Sequence, residues 1–207
     1  MQHPTTFRKP RAERWQQVLD VAAEVFSEKS YDAASLQEIA DRVGIKKGSL
    51  FNYIQTKAAL RDHLVREVYL KEFMLFSQWA RDGGGAIERL AAMVRGHLED
   101  FAEDGPRMAV YLNEVRRLDP AARKQLFGNR TFPDLFAEVI AQGQAEGVIR
   151  PELDAELASR AILILVRSVH QWSLAPPREA AGQLVQTILR GHSTPQGVGI
   201  LAAMDLT

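Results

Sequence analysis

The sequence predicts an all-α protein of about nine helices, a small three-helix head followed by a larger helical body. Three observations carry this. Apolar residues recur at three- and four-residue spacing along most of the chain, the period of a helix that buries one face. Alternation of the strand type never persists for a useful length, and no internal repeat occurs. Clusters of Gly, Pro and Asp punctuate the helical runs at positions 82–85, 104–106, 118–120 and 176–177. At 207 residues the chain is long enough for one or two domains with a substantial core. The expected division is 1–56 for the N-terminal arm and head and 57–207 for the body.

Residues 1–10 are polar, contain two prolines and read as a flexible arm. The first helix is expected from about residue 11 to 29, with Trp15, Val18, Leu19, Ala22, Val25 and Phe26 at helical spacing. Residues 35–60, SLQEIADRVGIKKGSLFNYIQTKAAL, hold two short helices. Ser35 followed three residues later by Glu38 is a capping box, each side chain bonding the other's backbone N–H. Leu36, Ile39, Ala40 and Val43 give this helix its apolar face. Gly44 then stands where a left-handed residue stops a helix. Lys46, Lys47, Gly48 and Ser49 open the next helix with charge and little bulk, which suits approach to a groove lined with phosphates. The arrangement is a helix-turn-helix, whose second helix enters the DNA major groove.

A fourth helix, N-capped by Thr56, is expected to reach about residue 79, with Leu60, Leu64, Val68, Phe73 and Phe76 on one side. It ties head to body and so is the expected lever between them. A fifth covers about 86–103, with Leu90, Val94, Leu98 and Phe101 inward, and a sixth about 107–117. A long seventh, about 121–146, contains Pro133, which should kink or split it. The eighth, about 154–173, is rich in Leu, Ile and Val on nearly all sides. The ninth, about 177–190, is stopped by Gly191. The tail to 207 is Gly- and Pro-containing and then mildly apolar, and its sequence leaves docking and disorder both open.

The totals exclude several classes. Apolar residues make up 46% and charged residues 25%, an ordinary soluble composition. No run of 18 apolar residues is present to span a membrane, and no apolar signal core follows the first charges, so a cytoplasmic protein is expected. Zero cysteines exclude disulfides, zinc thiolate sites and thiol catalysis. The histidines, at 3, 63, 97, 170 and 192, have no metal-ligand spacing, and neither HExxH nor GxSxG occurs, so neither an enzyme nor a metal or other cofactor is expected. GIKKGS at 44–49 lacks the gap, the lysine and the preceding strand of a phosphate loop. Net charge is zero overall, but it is +2 over residues 1–57 and −2 over the rest. Clustering is more telling: Arg8, Lys9, Arg11 and Arg14 surround only Glu13.

The stretch 35–60 resembles the DNA-binding domain of the tetracycline-repressor (TetR) family of bacterial transcription regulators. The matching positions are Ile39, Ala40, Gly44, Ile45, Gly48, Leu50, Tyr53, Lys57 and Leu60, preceded by Ala22, Phe26 and the Tyr31 turn. The chain departs from the family at Phe51, where tyrosine is usual, and at Ile54, where phenylalanine is common. More loosely, YLNEVRRLDPAARKQL and FAEVIAQGQAEGVIRPELDAELASRAIL resemble the C-terminal domain of a branch that governs fatty-acid and steroid breakdown and commonly senses acyl-CoA thioesters. The resemblance implies a ligand-responsive repressor that binds a near-palindromic operator in double-stranded DNA as a homodimer.

On DNA, Ser35 at a helix start offers a hydroxyl and backbone N–H groups to a phosphate. The resemblance also places Tyr53 and Lys57 on the phosphate backbone. Lys46, Lys47, Ser49 and Asn52 are the candidates for reading bases, since lysine donates to guanine and asparagine pairs with adenine. Phe51 is suited to a thymine methyl, and Arg11 to a phosphate or the minor groove. For a small-molecule effector the candidates are Phe73, Phe101, Met108, Tyr111, Asn113, Phe136, Arg167 and His170. Arg167, within an apolar helix, either pairs at an interface or meets an anionic ligand. The family analogy puts the dimer surface on the last two helices, where Ile162, Leu165, Val166, Val169, Leu184, Val185, Ile188 and Leu189 offer more apolar surface than a lone helix pair buries. The competing reading is a helical protein-interaction module on the same scaffold without specific DNA binding.

Overall fold

The computed structural model describes residues 10–128, 130–169 and 177–204, without the side chains of 101, 102, 126 and 177–180. Eleven α-helices and one 3-10 turn occur among them, and no named strand. The elements are α1 (Arg11–Lys29), α2 (Leu36–Val43), α3 (Lys47–Leu50), α4 (Lys57–Trp79), α5 (Ala86–Glu103), α6 (Gly105–Glu114), α7 (Pro120–Phe127), α8 (Phe132–Ala145), α9 (Ala155–Ser168), α10 (Pro177–Arg190) and α11 (Pro195–Ala203). The 3-10 turn, Val115–Arg117, follows α6.

The chain forms two compact units. One comprises Met1–Val68 together with Pro106–Leu118; the other holds Tyr69–Gly105 and Asp119–Thr207. In the first unit Val18, Leu19, Ala22, Val25 and Phe26 of α1 close on Ile39, Ala40 and Val43 of α2, Leu50 of α3, and Leu60 and Leu64 of α4. Val110 of α6 belongs to the same cluster, so the head's core takes a side chain from far along the sequence. Arg107 holds that helix in place, with one nitrogen 2.6 Å from Asp20 and another 3.0 Å from Glu67. Arg117 adds a pair to Asp32 at 2.8 Å.

In the second unit α5 packs against α8, α9, α10 and α11, and α8 lies along α9. Aromatic rings fill its interior: Phe76 meets Trp79, Phe132 and Phe136 at centroid distances of 5.1 to 5.6 Å. Gly96 of α5 makes room for Trp79, since a Cβ there would lie 2.3 Å from the indole. The expected long seventh helix is two helices. Gly128, with φ 73°, ends α7, and Pro133 sits in the first turn of α8 behind a Thr131–Asp134 capping box. Proline's missing N–H costs nothing in a first turn, so here it opens a helix instead of kinking one.

The tail, which the sequence left open, carries a further helix, α11. Thr194 caps α11 by accepting from the Gly197 N–H, and its own N–H donates to the Val148 carbonyl. Leu201 is then fully buried. The expected eighth helix is described as α9 to Ser168, and its last expected turn lies outside the described residues.

Candidate nucleic-acid interface

The turn between α2 and α3 follows from its sequence. Ser35 accepts from the Glu38 N–H at 3.1 Å, so half of the expected capping box is present. The Glu38 carboxylate instead joins Lys29 at 2.8 Å and Arg42 at 3.1 Å, and Arg42 also grips Glu28 at 2.7 Å. These pairs hold the Glu28 and Glu38 carboxyls below the usual carboxylate range, through the hydrogen bonds from Arg42 and Lys29 respectively. Gly44 is left-handed, at φ 75° and ψ 34°, and returns its N–H to Ala40 and Asp41. Ile45 N–H bonds the Ala40 carbonyl at 2.9 Å and fixes the sharp entry into α3.

Helix α3 is a single turn. Leu50 is fully buried and anchors it, while Lys46, Lys47, Gly48, Phe51 and Asn52 are all exposed. Residues four apart share a helix face, so Lys47 and Phe51 form one outward row and Gly48 and Asn52 the next. Ser49 is half-buried between them. Two props hold this turn to α1. Arg11 donates to the Asn52 carbonyl at 3.2 Å and lies over the Tyr53 ring at 5.8 Å. Tyr53 stacks on Trp15, with centroids 6.1 Å apart and planes 2° from parallel. Tyr53 is therefore partly committed to packing and is half-buried. Ser35 is exposed at the start of α2.

Lys57, expected on the phosphate backbone, is engaged within the head. Its ammonium donates to the carbonyls of Tyr31 (2.9 Å), Asp32 (3.1 Å) and Ala34 (2.9 Å) and lies 4.6 Å from the Tyr31 ring centroid. An ammonium has three protons, and all three are used. The side chain ties α4 to the α1–α2 connection. The sequence showed a lysine in a DNA-binding motif; nothing local announced three converging carbonyls.

The effector candidates are divided between the two units. Met108 and Tyr111 are buried in the first unit, where Asn113 is exposed. Phe73, Phe136 and Arg167 belong to the second unit, with the Arg167 guanidinium 5.1 Å from the Phe132 centroid. His170 and the side chain of Phe101 lie outside the described residues. Phe73 also lines an open groove of about 510 Å³ with Met74, Ser77, Gln78, Arg81 and Asp82. A polar pair that the sequence reading missed lies in this unit: His97 and Glu72 share a hydrogen bond of 2.8 Å, both almost wholly buried. Burial, then the neighbouring Asp100, pushes the Glu72 carboxyl up to about 9, against the opposing pull of Lys71 and Arg167.

Most of the dimer candidates serve the packing of the chain itself. Ile162, Val166, Val169, Val185, Ile188 and Leu189 are buried within this chain. Leu165 is 42% exposed and Leu184 half-buried. The outward face of α9 is one step around the helix: Leu157 and Ile164, each 68% exposed, with Ala161 between them.

Known proteins share both halves of this architecture. Residues 18–64 match the family model described as bacterial regulatory proteins, tetR family, and residues 83–191 match the tetracyclin repressor-like C-terminal domain. The HTH-type transcriptional repressor KstR2 of Mycobacterium tuberculosis is 28% identical over 187 residues, covering 88% of this chain and 94% of that protein. A solved structure of that ketosteroid regulator superposes with a TM-score of 0.77 at 24% identity, over 90% of this chain and 97% of the other. AibR in complex with isovaleryl coenzyme A and operator DNA gives a TM-score of 0.74 at 23% identity, over 84% and 97%. FadR of Bacillus subtilis in complex with stearoyl-CoA gives 0.69 at 20% identity, over 86% and 98%.

Proposed function

Because this chain belongs to the TetR family, and so is a DNA-binding regulator of transcription, we propose that it is a cytoplasmic repressor, dimeric on a near-palindromic operator and released by an acyl-CoA-type effector. The observation that carries the DNA reading is the outward face of α3. Lys46, Lys47, Phe51 and Asn52 are exposed together on one buttressed turn, with Arg11 beside them. Lysines there supply charge to phosphates and donors to guanine, and Asn52 matches adenine. Ser35 adds an exposed helix start for a phosphate. Lys57 contributes by holding the head together.

One head is a small footprint. Two heads related by a two-fold axis read two half-sites one helical turn apart, roughly 34–36 Å. The exposed stripe of Leu157, Ala161, Ile164 and Leu165 on α9 supports that pairing, since an exposed apolar face gains from being covered.

The effector reading is supported by the aromatic interior of the second unit, the groove beside Phe73, Arg167 over Phe132, and the acyl-CoA complexes of AibR and FadR. A ligand that binds one arrangement of the dimer better than the DNA-competent one lowers operator affinity by that difference. No helix among the described residues is long and apolar enough to cross a membrane.

Selection of bound sequences from a random duplex library, with the native protein beside a Lys46→Ala/Lys47→Ala variant, tests the reading. The native protein alone enriches an inverted repeat, and an acyl-CoA then weakens binding to it. Enrichment of no sequence by either protein would replace the proposal with a protein-interaction module.

A further inference from the structure

Hydroxyls in the second unit mostly find a partner close by in the chain. Ser159, Ser168, Thr187 and Ser193 each donate to a backbone carbonyl three or four residues earlier, at 2.7 to 2.9 Å. That back bond is how a hydroxyl on a helix is ordinarily satisfied when water is shut out. Ser77 of α4 behaves differently. Only 8% of it is exposed, and its Oγ has no hydrogen-bond partner among the described residues. A buried polar atom left this way destabilises the fold that holds it. Its hydroxyl therefore has a bond to offer a group from outside the chain.

Ser77 lines the open groove of about 510 Å³ beside Phe73. Phe73, Ser77 and Arg81 stand four residues apart, so they follow one another along one face of the helix. The N–H groups of Ala80, Arg81 and Asp82 bond the carbonyls of Phe76 and Gln78 and carry the winding on past Trp79. One end of the groove is apolar. Phe73 stands there with Met74, which at 70% is the most exposed large apolar residue among those described. Leu70, one turn earlier, extends this surface and is 45% exposed. The other end is charged. Arg81 and Asp82 line it, and neither side chain forms a hydrogen bond or an ion pair among the described residues.

The order of these groups selects the ligand. An apolar body laid on Phe73 and Met74 gains by burying surface on both sides. About 6 Å further on, one helical turn, a polar group meets the Ser77 hydroxyl, which donates or accepts. At the far end a guanidinium pairs with a carboxylate or a phosphate through two parallel N–H bonds. Asp82 is one residue off the line of Phe73, Ser77 and Arg81, and its charge opposes the anion. Resting on the effector reading above, we propose that this groove on α4 holds the polar end of the effector, an amphipathic organic anion, with Ser77 bonding its polar middle and Arg81 its anionic terminus. The carboxylate of a free organic acid and the phosphates of an acyl-CoA both satisfy this chemistry.

Isothermal titration of the full-length protein with dodecanoate, dodecanoyl-CoA and coenzyme A separates the two sources. At least one of the first two binds, and Ser77→Ala and Arg81→Gln each weaken it about tenfold, the value of a hydrogen bond to a ligand. Asp82→Asn tightens it about threefold by removing a like charge. In the free protein Ser77→Ala keeps or raises the thermal midpoint, because the hydroxyl it removes has no partner to lose. A residue that served packing alone would not lose affinity while holding stability. Dodecanoate binding with these responses assigns Arg81 to a carboxylate, and binding of dodecanoyl-CoA alone assigns it to a phosphate. If an anion binds and Ser77→Ala and Arg81→Gln bind it as the native protein does, the proposal falls while the effector reading stands. Coenzyme A binding as tightly as dodecanoyl-CoA overturns the apolar end and with it the proposal. If none of the three binds, this proposal and the effector reading both fall.

Discussion

Lys57 and Glu72 show how much of a residue's role depends on what converges on it. The motif around Lys57 was legible; its three carbonyl partners come from residues 31, 32 and 34, which only the folded head brings to the ammonium. Lys57→Met should lower unfolding free energy by about 1–3 kcal/mol, because the carbonyls lose a charged donor. Denaturant titration measures this. On operator DNA the slope of log affinity against log salt should stay at the native value, since no phosphate partner is lost. A slope shallower by about 0.9 would restore the phosphate contact. For Glu72 the folded carboxyl titrates at about 9 and the ordinary value is 4.5. Between those values the unfolded chain has lost the proton that the folded one keeps. Stability from this group is therefore full below about pH 4.5 and falls as pH rises toward 9, by up to about 1.4 kcal/mol per unit. Unfolding curves measured from pH 5 to 9 should show that decline, and Glu72→Gln should flatten it. An unchanged slope in the variant would assign the decline to other groups.

At the scale of elements, the helices carried by strong periodicity or by explicit stop signals were the legible ones. The apolar face of α1 and the left-handed Gly44 after α2 both follow from local chemistry, and so do their bounds. Harder to see were elements whose signals were short. TFPD at 131–134 is a Thr–Asp capping box with proline in the first turn, and it explains why one expected helix is two. TPQG at 194–197 starts α11 in a similar way, and the docking of that helix depends on Val148 and Leu201, far from it or late in it. Helix α9 illustrates the remaining difficulty. Its residues are apolar nearly all round, so periodicity alone did not separate core from surface, and six of the eight residues expected at a dimer interface are core. The exposed stripe makes a sharper expectation. Ile164→Glu should leave helical content by circular dichroism unchanged and convert the protein to a monomer at micromolar concentration in sedimentation. A variant that still sediments as a dimer would move the interface off α9.

For the molecule as a whole, the fold class and the DNA-reading turn were visible in the sequence because they depend on neighbours in the chain. The effector candidates rested on residue type, which does not tell core from pocket: Met108, Tyr111 and Phe136 are all buried. One feature of the first unit reaches back into the making of the protein. Its core includes Val110, and its polar bracing includes Arg107 and Arg117, all on a segment that follows nearly forty residues of the other unit. Ribosomes extend chains N-terminus first at about 5–20 residues per second. The DNA-reading head is thus incomplete when its own three helices emerge, and closes only after Leu118 has left the exit tunnel. During translation, the last side chains of this core are thus made after α5 of the other unit.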